Sequence, residues 1–140
     1  MPGMSIDELN GILEQHFAPW VRDLDLLVTG ADADTVTLTM QPGERLNRHG
    51  GIVSGQALMA AADTAMVLAL NSGSDDFLPS ATVDMNTSFL KPATNVTLHI
   101  DASVIRKGRS IAFTRCEISS SADNKAVLSA TGTYALPAGR

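Results

Sequence analysis

The sequence predicts an α+β fold, a curved and mostly antiparallel sheet of about six strands wrapped round one long central helix, with a short helix in front. Three observations predict it. The run from about Ser54 to Leu70 carries alanines, leucines and methionines on every side, which marks a helix buried almost all round. Six other segments read as strands, two before that helix and four after it. One apolar helix and one sheet must then cover each other, and a strongly curved sheet round the helix does so. Such a sheet keeps open edges, which oligomers commonly cover.

The elements follow in order. Ser5-Ile6-Asp7-Glu8 has the form of a capping box, with Ser5 as N-cap and Glu8 three residues on. Ile6, Leu9, Leu13, His16 and Phe17 then share a helical face, and Pro19 is expected to end the helix. Leu24 to Thr29 reads as a strand, Gly30 to Asp34 as a turn, and Thr35 to Met40 as the return strand of a hairpin. Gln41 to Val53 is a loop rich in glycine and polar residues. After the long helix, Asn71 to Asp76 supplies closing turn chemistry. Strands are expected over Ala81 to Leu90, Val96 to Ile105, Ser110 to Ser120 and Ala126 to Leu136. Pro92, Gly108 and the Ala122 to Lys125 stretch punctuate them. No repeat or linker divides the chain, so residues 1–140 are expected to form one domain.

Composition narrows the function. The 140 residues are 44% hydrophobic and 18% charged, a globular balance. The net charge of −5 argues against a general nucleic-acid binder. The single cysteine, Cys116, rules out an intrachain disulfide and fits a reducing cytoplasm. It sits in an alternating strand pattern, where packing is its expected role. The N-terminus shows no secretory signal pattern. Ile52 to Leu70 is long enough to span a bilayer, yet Asp63 in its middle would be costly there. A buried helix off the membrane is the expectation.

Asp63 is the residue that breaks the local rule. It is the only charged residue between Arg48 and Asp75, in Ala57-Leu58-Met59-Ala60-Ala61-Ala62-Asp63-Thr64-Ala65-Met66. Burying a lone carboxylate costs several kcal/mol, roughly, unless it is paired or hydrogen-bonded. It is either a reactive group or a polar contact satisfied at an interface. The approach to the helix, Gly50-Gly51-Ile52-Val53-Ser54-Gly55, also reads two ways. Ser54 fits an N-cap. Gly55, with no side chain in the way, could offer a free helix-start N–H to a substrate carbonyl.

At this point the residues resemble a known family, the small hotdog-fold acyl-CoA thioesterases of the phenylacetic-acid-degradation type, together with the thioesterase superfamily members of animal mitochondria. The resemblance runs from about Asn47 to Tyr134. It is carried by Ala62-Asp63-Thr64-Ala65-Met66, by the stretch from Ala81 to Ala93, by Lys107 to Ile118 and by the closing Ala130 to Leu136. It implies an acyl-CoA substrate, no cofactor beyond the coenzyme A of that substrate, and no metal. It implies a dimer of hotdogs, usually paired into a tetramer, with active sites at the dimer interface. By this resemblance Asp63 is general base or nucleophile and Thr82 orients the water. The Gly55 N–H polarises the carbonyl, and Asn47 matches an asparagine of the preceding loop. The phosphoadenosine end of coenzyme A falls near Phe89 and the turn Arg106-Lys107-Gly108-Arg109-Ser110, which gathers three cations.

One departure stands out. The family places His-Gly-Gly nine residues before the aspartate, whereas here Ser54-Gly55-Gln56 occupies that position. Ser54 and Gln56 are therefore expected beside the substrate. His49-Gly50-Gly51 lies five residues too early and reads as a loop coincidence. Rival functions are a hotdog hydratase, which needs a histidine paired with an acid, a non-catalytic acyl-CoA-binding module, and a purely structural oligomer. His16 is expected as partly packed helix surface and His99 as outward-facing. Met59, Met66 and Leu90 are candidate walls of an acyl pocket.

Overall fold

The computed structural model describes residues 3–137. Helix α1 (Ile6–Gln15) is opened by the expected capping box, with Ser5 and Glu8 each bonded to the other's backbone N–H. Its Asn10 amide accepts from the Val28 N–H at 2.9 Å and donates to the Val28 carbonyl, which docks the helix on strand β1 (Leu26–Ala31). Pro19 does not end α1. It occupies the first turn of a separate short helix, α2 (Pro19–Arg22), where its missing N–H costs nothing.

Strand β2 (Thr35–Met40) lies where expected. The long helix α3 (Gly55–Ser72) runs two residues further than the sequence pattern. Asn71 donates back to Val67 and Ser72 to Ala69, so both polar side chains bond within their own helix instead of breaking it. The later strands are β3 (Ala81–Phe89), β4 (Leu98–Lys107), β5 (Ile111–Ser120) and β6 (Ala126–Ala135). Strand β4 begins and ends two residues later than its alternation suggests, because Arg106 and Lys107 still pair with β5.

The six strands form one antiparallel sheet in the order β1-β2-β4-β5-β6-β3. Val36, Leu38, Met40, Leu98, Ile100, Cys116, Ile118, Leu128 and Tyr134 face inward and are buried. They meet the small and aliphatic faces of α3, whose alanines let the curved sheet approach closely. Strand β3 is an edge, and Val83, Phe89 and the adjoining Leu90 stay exposed along it. Among the described residues, no helix is long and apolar enough to cross a membrane.

Candidate active site

Three side chains from three elements meet in the middle of the molecule. Asp63 sits midway along α3 and is half-buried, not fully buried as the apolar run suggested. Thr82 opens β3 and Tyr134 lies near the end of β6. The β3–β6 register pairs Thr82 directly with Tyr134, which brings both hydroxyls to the same point of the inner face. Thr82 Oγ1 donates to Asp63 Oδ1 at 3.0 Å, and the Tyr134 hydroxyl donates to the same oxygen at 2.7 Å. The tyrosine hydroxyl also lies 3.3 Å from the Asp63 carbonyl. Oδ1 is thus held twice, while Oδ2 takes no hydrogen bond from a described residue.

Tyr134 is the site residue that sequence reasoning missed. It is 0% exposed. Burial pushes its phenol well above the usual tyrosine range, and the Asp63 carboxylate beside it pushes the same way. The phenol therefore stays protonated and can only donate to Asp63. Room for its ring comes from Gly132, where a Cβ would meet the Tyr134 ring at 2.9 Å and Met66 at 3.0 Å. The signal available in the sequence was a single tyrosine at an inward position of a strand, since a buried hydroxyl needs a partner.

A cleft of about 480 Å³ ends on this cluster. Ala60, Asp63, Thr64 and Val67 floor it, and residues of the 16–21 and 77–82 segments wall it. His16 is partly packed helix surface, as expected. It is the exposed C-cap of α1, and its ring stacks on Phe77 with centroids 3.9 Å apart. Of the three expected acyl-pocket residues, none lines this cleft. Met66 is fully buried in the core, and Met59 and Leu90 are exposed elsewhere.

Gly55 lies at the other end of the helix. It is the first residue of α3, eight positions before Asp63 and so about 12 Å away along the axis. Ser54 is the N-cap, its Oγ accepting from the Ala57 N–H at 3.2 Å. Gln56 is exposed beside it. The Phe89 ring packs 3.4 Å from where a Gly55 Cβ would stand. Gly55, Phe89, Arg48 and Lys91 line a second, smaller cleft of about 350 Å³. Asn47 is half-buried at the base of the approach loop and bridges to Val53. His49 is exposed in the turn beyond it, whose Gly50 and Gly51 adopt φ of 98° and 79°. Those values explain the glycine pair as turn chemistry.

The turn holding Arg106, Lys107, Gly108, Arg109 and Ser110 sits at the far end of α3, where Lys107 Nζ donates to the Leu70 carbonyl. Phe89 and this turn therefore lie at opposite ends of the helix within one chain. His99 is exposed as expected. Cys116 is buried and its thiol is pushed up to about 12, first by desolvation and then by Asp101 and Glu117, so it serves packing. Among the described residues, no group of three or more His, Cys, Asp or Glu side chains is placed to hold a metal.

Comparison with known proteins fits this arrangement. The family model of the thioesterase superfamily matches residues 50–127, more than half of the chain, and the chain belongs to that superfamily. No curated protein matches the sequence. Among solved structures, a Haemophilus influenzae thioesterase is 20% identical, with 99% of this chain and 96% of that one covered and a TM-score of 0.86. A Ralstonia eutropha protein described as phenylacetic acid degradation-related is 25% identical, with 91% and 98% covered and a TM-score of 0.77. A Streptococcus pneumoniae hypothetical thioesterase, solved with coenzyme A, is 17% identical, with 97% and 99% covered and a TM-score of 0.78. The architecture is the hotdog fold.

Proposed function

We propose that this protein is an acyl-CoA thioesterase, with Asp63 as the reacting carboxylate. The observation that carries the proposal is the Asp63 geometry. Two hydroxyls fix Oδ1, Oδ2 is left to react, and a cleft ends on the pair. In the general-base route, Oδ2 takes a proton from a water held near Thr82, and the hydroxide adds to the thioester carbonyl. The C–S bond then breaks, coenzyme A leaves as thiolate, and the proton passes from Asp63 to the thiolate or solvent. In the nucleophilic route, Oδ2 itself adds to the carbonyl, the C–S bond breaks to release the thiolate, and water hydrolyses the resulting anhydride to the free acid and the Asp63 carboxylate. The thiolate is a fair leaving group, so neither route needs a strong acid. Neither needs a cofactor beyond the coenzyme A of the substrate. Single turnover in oxygen-18 water separates the two, since only the nucleophilic route carries label into the Asp63 carboxylate.

The carbonyl needs a donor, and the separation along α3 argues that one chain does not supply both halves of the site. The Gly55 N–H facing a given Asp63 would come from a second copy, with Asn47 bracing the approach loop and Ser54 and Gln56 flanking the carbonyl. Edge strand β3, open and apolar at Val83 and Phe89, supports antiparallel pairing with its own copy. Such pairing would bring the Arg106–Ser110 turn of one chain toward Phe89 of the other. The two could then grip one phosphoadenosine. The coenzyme A bound by the Streptococcus pneumoniae relative supports a CoA ester as substrate. A dimer of such single-domain hotdogs, paired into a tetramer in the cytoplasm, is the assembly we infer.

The test is coenzyme A release by the wild type beside Asp63→Asn and Asp63→Ala. Loss of about 100-fold or more in correctly assembled variants supports the proposal. Release that survives both substitutions would overturn the role of Asp63. Bound but unhydrolysed esters would indicate a binding module, and hydration of an enoyl ester without thiol release would indicate a hydratase.

A further inference from the structure

A second cleft lies between α1, α2 and the β1 edge of the sheet. Its space of about 640 Å³ falls within the range of roughly 300–1,000 Å³ usual for small-molecule sites. It shares Val21 with the cleft at Asp63 and no other residue, so it holds none of the groups given a role above.

Charge is the first observation. Glu14 of α1, Arg22 at the end of α2 and Asp25 just before β1 are exposed and all line this cleft. Among the described residues, no ion pair and no side-chain hydrogen bond engages any of the three. Both signs of charge are therefore left available to whatever sits between them. Leu13, Val21, Leu26 and Leu27 form the apolar part, and Leu27 is 54% exposed. A fatty acid placed here would set its carboxylate near Glu14 and Asp25, and an alkylamine would set its cation near Arg22. A zwitterion with an apolar side chain meets neither repulsion.

The backbone narrows the choice further. Val28 turns its N–H and carbonyl away from β2, and the Asn10 amide takes both, accepting at 2.9 Å and donating at 3.2 Å. Antiparallel pairing alternates, so Leu26, two residues back, turns its own N–H and carbonyl to the same open edge. No described residue bonds to that pair. Asn10 closes the edge on one side and the turn after α2 closes it on the other. The opening is therefore one residue long, too short for an added strand. An α-amino acid offers a donor and an acceptor a few bonds apart, as the Asn10 amide does to Val28. Gln41 adds donors, because Thr97 occupies its Oε1 at 3.0 Å and its amide N–H groups have no partner.

We propose that this cleft binds a free α-amino acid with a large apolar side chain. Its carboxylate lies on Arg22 and Gln41, its ammonium on Glu14, Asp25 and the Leu26 carbonyl, and its side chain on Leu13, Val21 and Leu27. The site stands apart from Asp63 and does not depend on the thioesterase reading.

The experiment titrates the full chain calorimetrically with L-leucine, 4-methylpentanoate and 3-methylbutylamine. The last two keep the leucine side chain and lack the ammonium or the carboxylate. Leucine should bind, and each analogue should bind about tenfold more weakly or worse. Arg22→Gln, a change at an exposed side chain without a partner, should weaken leucine about tenfold and leave the amine no weaker. Glu14→Gln combined with Asp25→Asn should weaken leucine by a similar factor and leave 4-methylpentanoate no weaker. No heat with leucine at about 10 mM overturns the site. Either analogue binding as well as leucine overturns the zwitterion, and leucine binding unmoved by Arg22→Gln overturns the location.

Discussion

Tyr134→Phe removes one oxygen atom and asks whether the tyrosine prepares Asp63 or merely fills space. The wild-type hydroxyl donates to Asp63 Oδ1 at 2.7 Å from a fully buried ring. A hydrogen bond to a charged group contributes about 1.5–3 kcal/mol. Its loss leaves Thr82 as the single side-chain donor to Oδ1, so the carboxylate is held less firmly. At 1.36 kcal/mol per factor of ten, kcat should fall by about 10- to 100-fold. KM should change little, because Tyr134 does not line the cleft. Phenylalanine keeps the ring in the space that Gly132 leaves for it, and Thr82 still holds Oδ1. Folding should therefore survive, at a stability cost of no more than about 1.5–3 kcal/mol. The assay is thiol release by wild type and variant on one substrate, with kcat and KM separated. An unchanged kcat would refute the preparation argument and leave Tyr134 as packing.

Two further perturbations test the packing around the site. Asn71→Ala strips the acceptor from the buried Leu78 N–H and should cost about 1–3 kcal/mol in a denaturant titration. An unchanged midpoint would mean that the 74–80 loop is not clamped there. Alkaline pH should also destabilise the fold, because Cys116 and Tyr134 both hold their protons more tightly folded than unfolded. Their contribution is complete below about pH 9. It is lost as pH rises, from 9.0 as the unfolded thiol ionises and from 10.0 as the unfolded phenol does, at up to 1.36 kcal/mol per pH unit for each group. Tyr134 is the only tyrosine, so phenolate absorbance reports its release directly. Denaturant midpoints of wild type and Tyr134→Phe that stay parallel past about pH 11 would refute the tyrosine part.

The fold was legible where its signals are local. The alternation of Val36, Leu38 and Met40 after an Asp-Ala-Asp turn located β2 to the residue. The all-round apolar run located α3 within two residues at its end. Pro19 misled because one residue type both stops a helix and starts one, and only the following Trp20-Val21-Arg22 turn decides between them. Asp63 was legible because a carboxylate contradicts its neighbours, and Thr82 through the resemblance. Tyr134 was not, because its partner is 71 residues away and only the β3–β6 register brings the two hydroxyls together. The aromatic wall was hidden for the same reason. Phe17 and Trp20 belong to one end of the chain and Phe77 to its middle, and nothing in their spacing announces a shared cleft.

The same contacts answer how α3 tolerates a carboxylate and why that carboxylate can react. A lone Asp63 among alanines would carry a large desolvation cost. Two hydroxyls from neighbouring strands offset part of it, and half-exposure to the cleft offsets more. Both hydroxyls converge on one oxygen. The stabilisation is therefore asymmetric, and the second oxygen takes no hydrogen bond from a described residue. Had Thr82 and Tyr134 each bonded a different oxygen, Asp63 would be better satisfied and less able to take a proton or attack a carbonyl. The pairing of Thr82 with Tyr134 across two strands fixes that asymmetry in the backbone register itself. Swapping the hydroxyl at position 82 for serine should preserve the asymmetry, while Thr82→Val should release half of the hold on Oδ1.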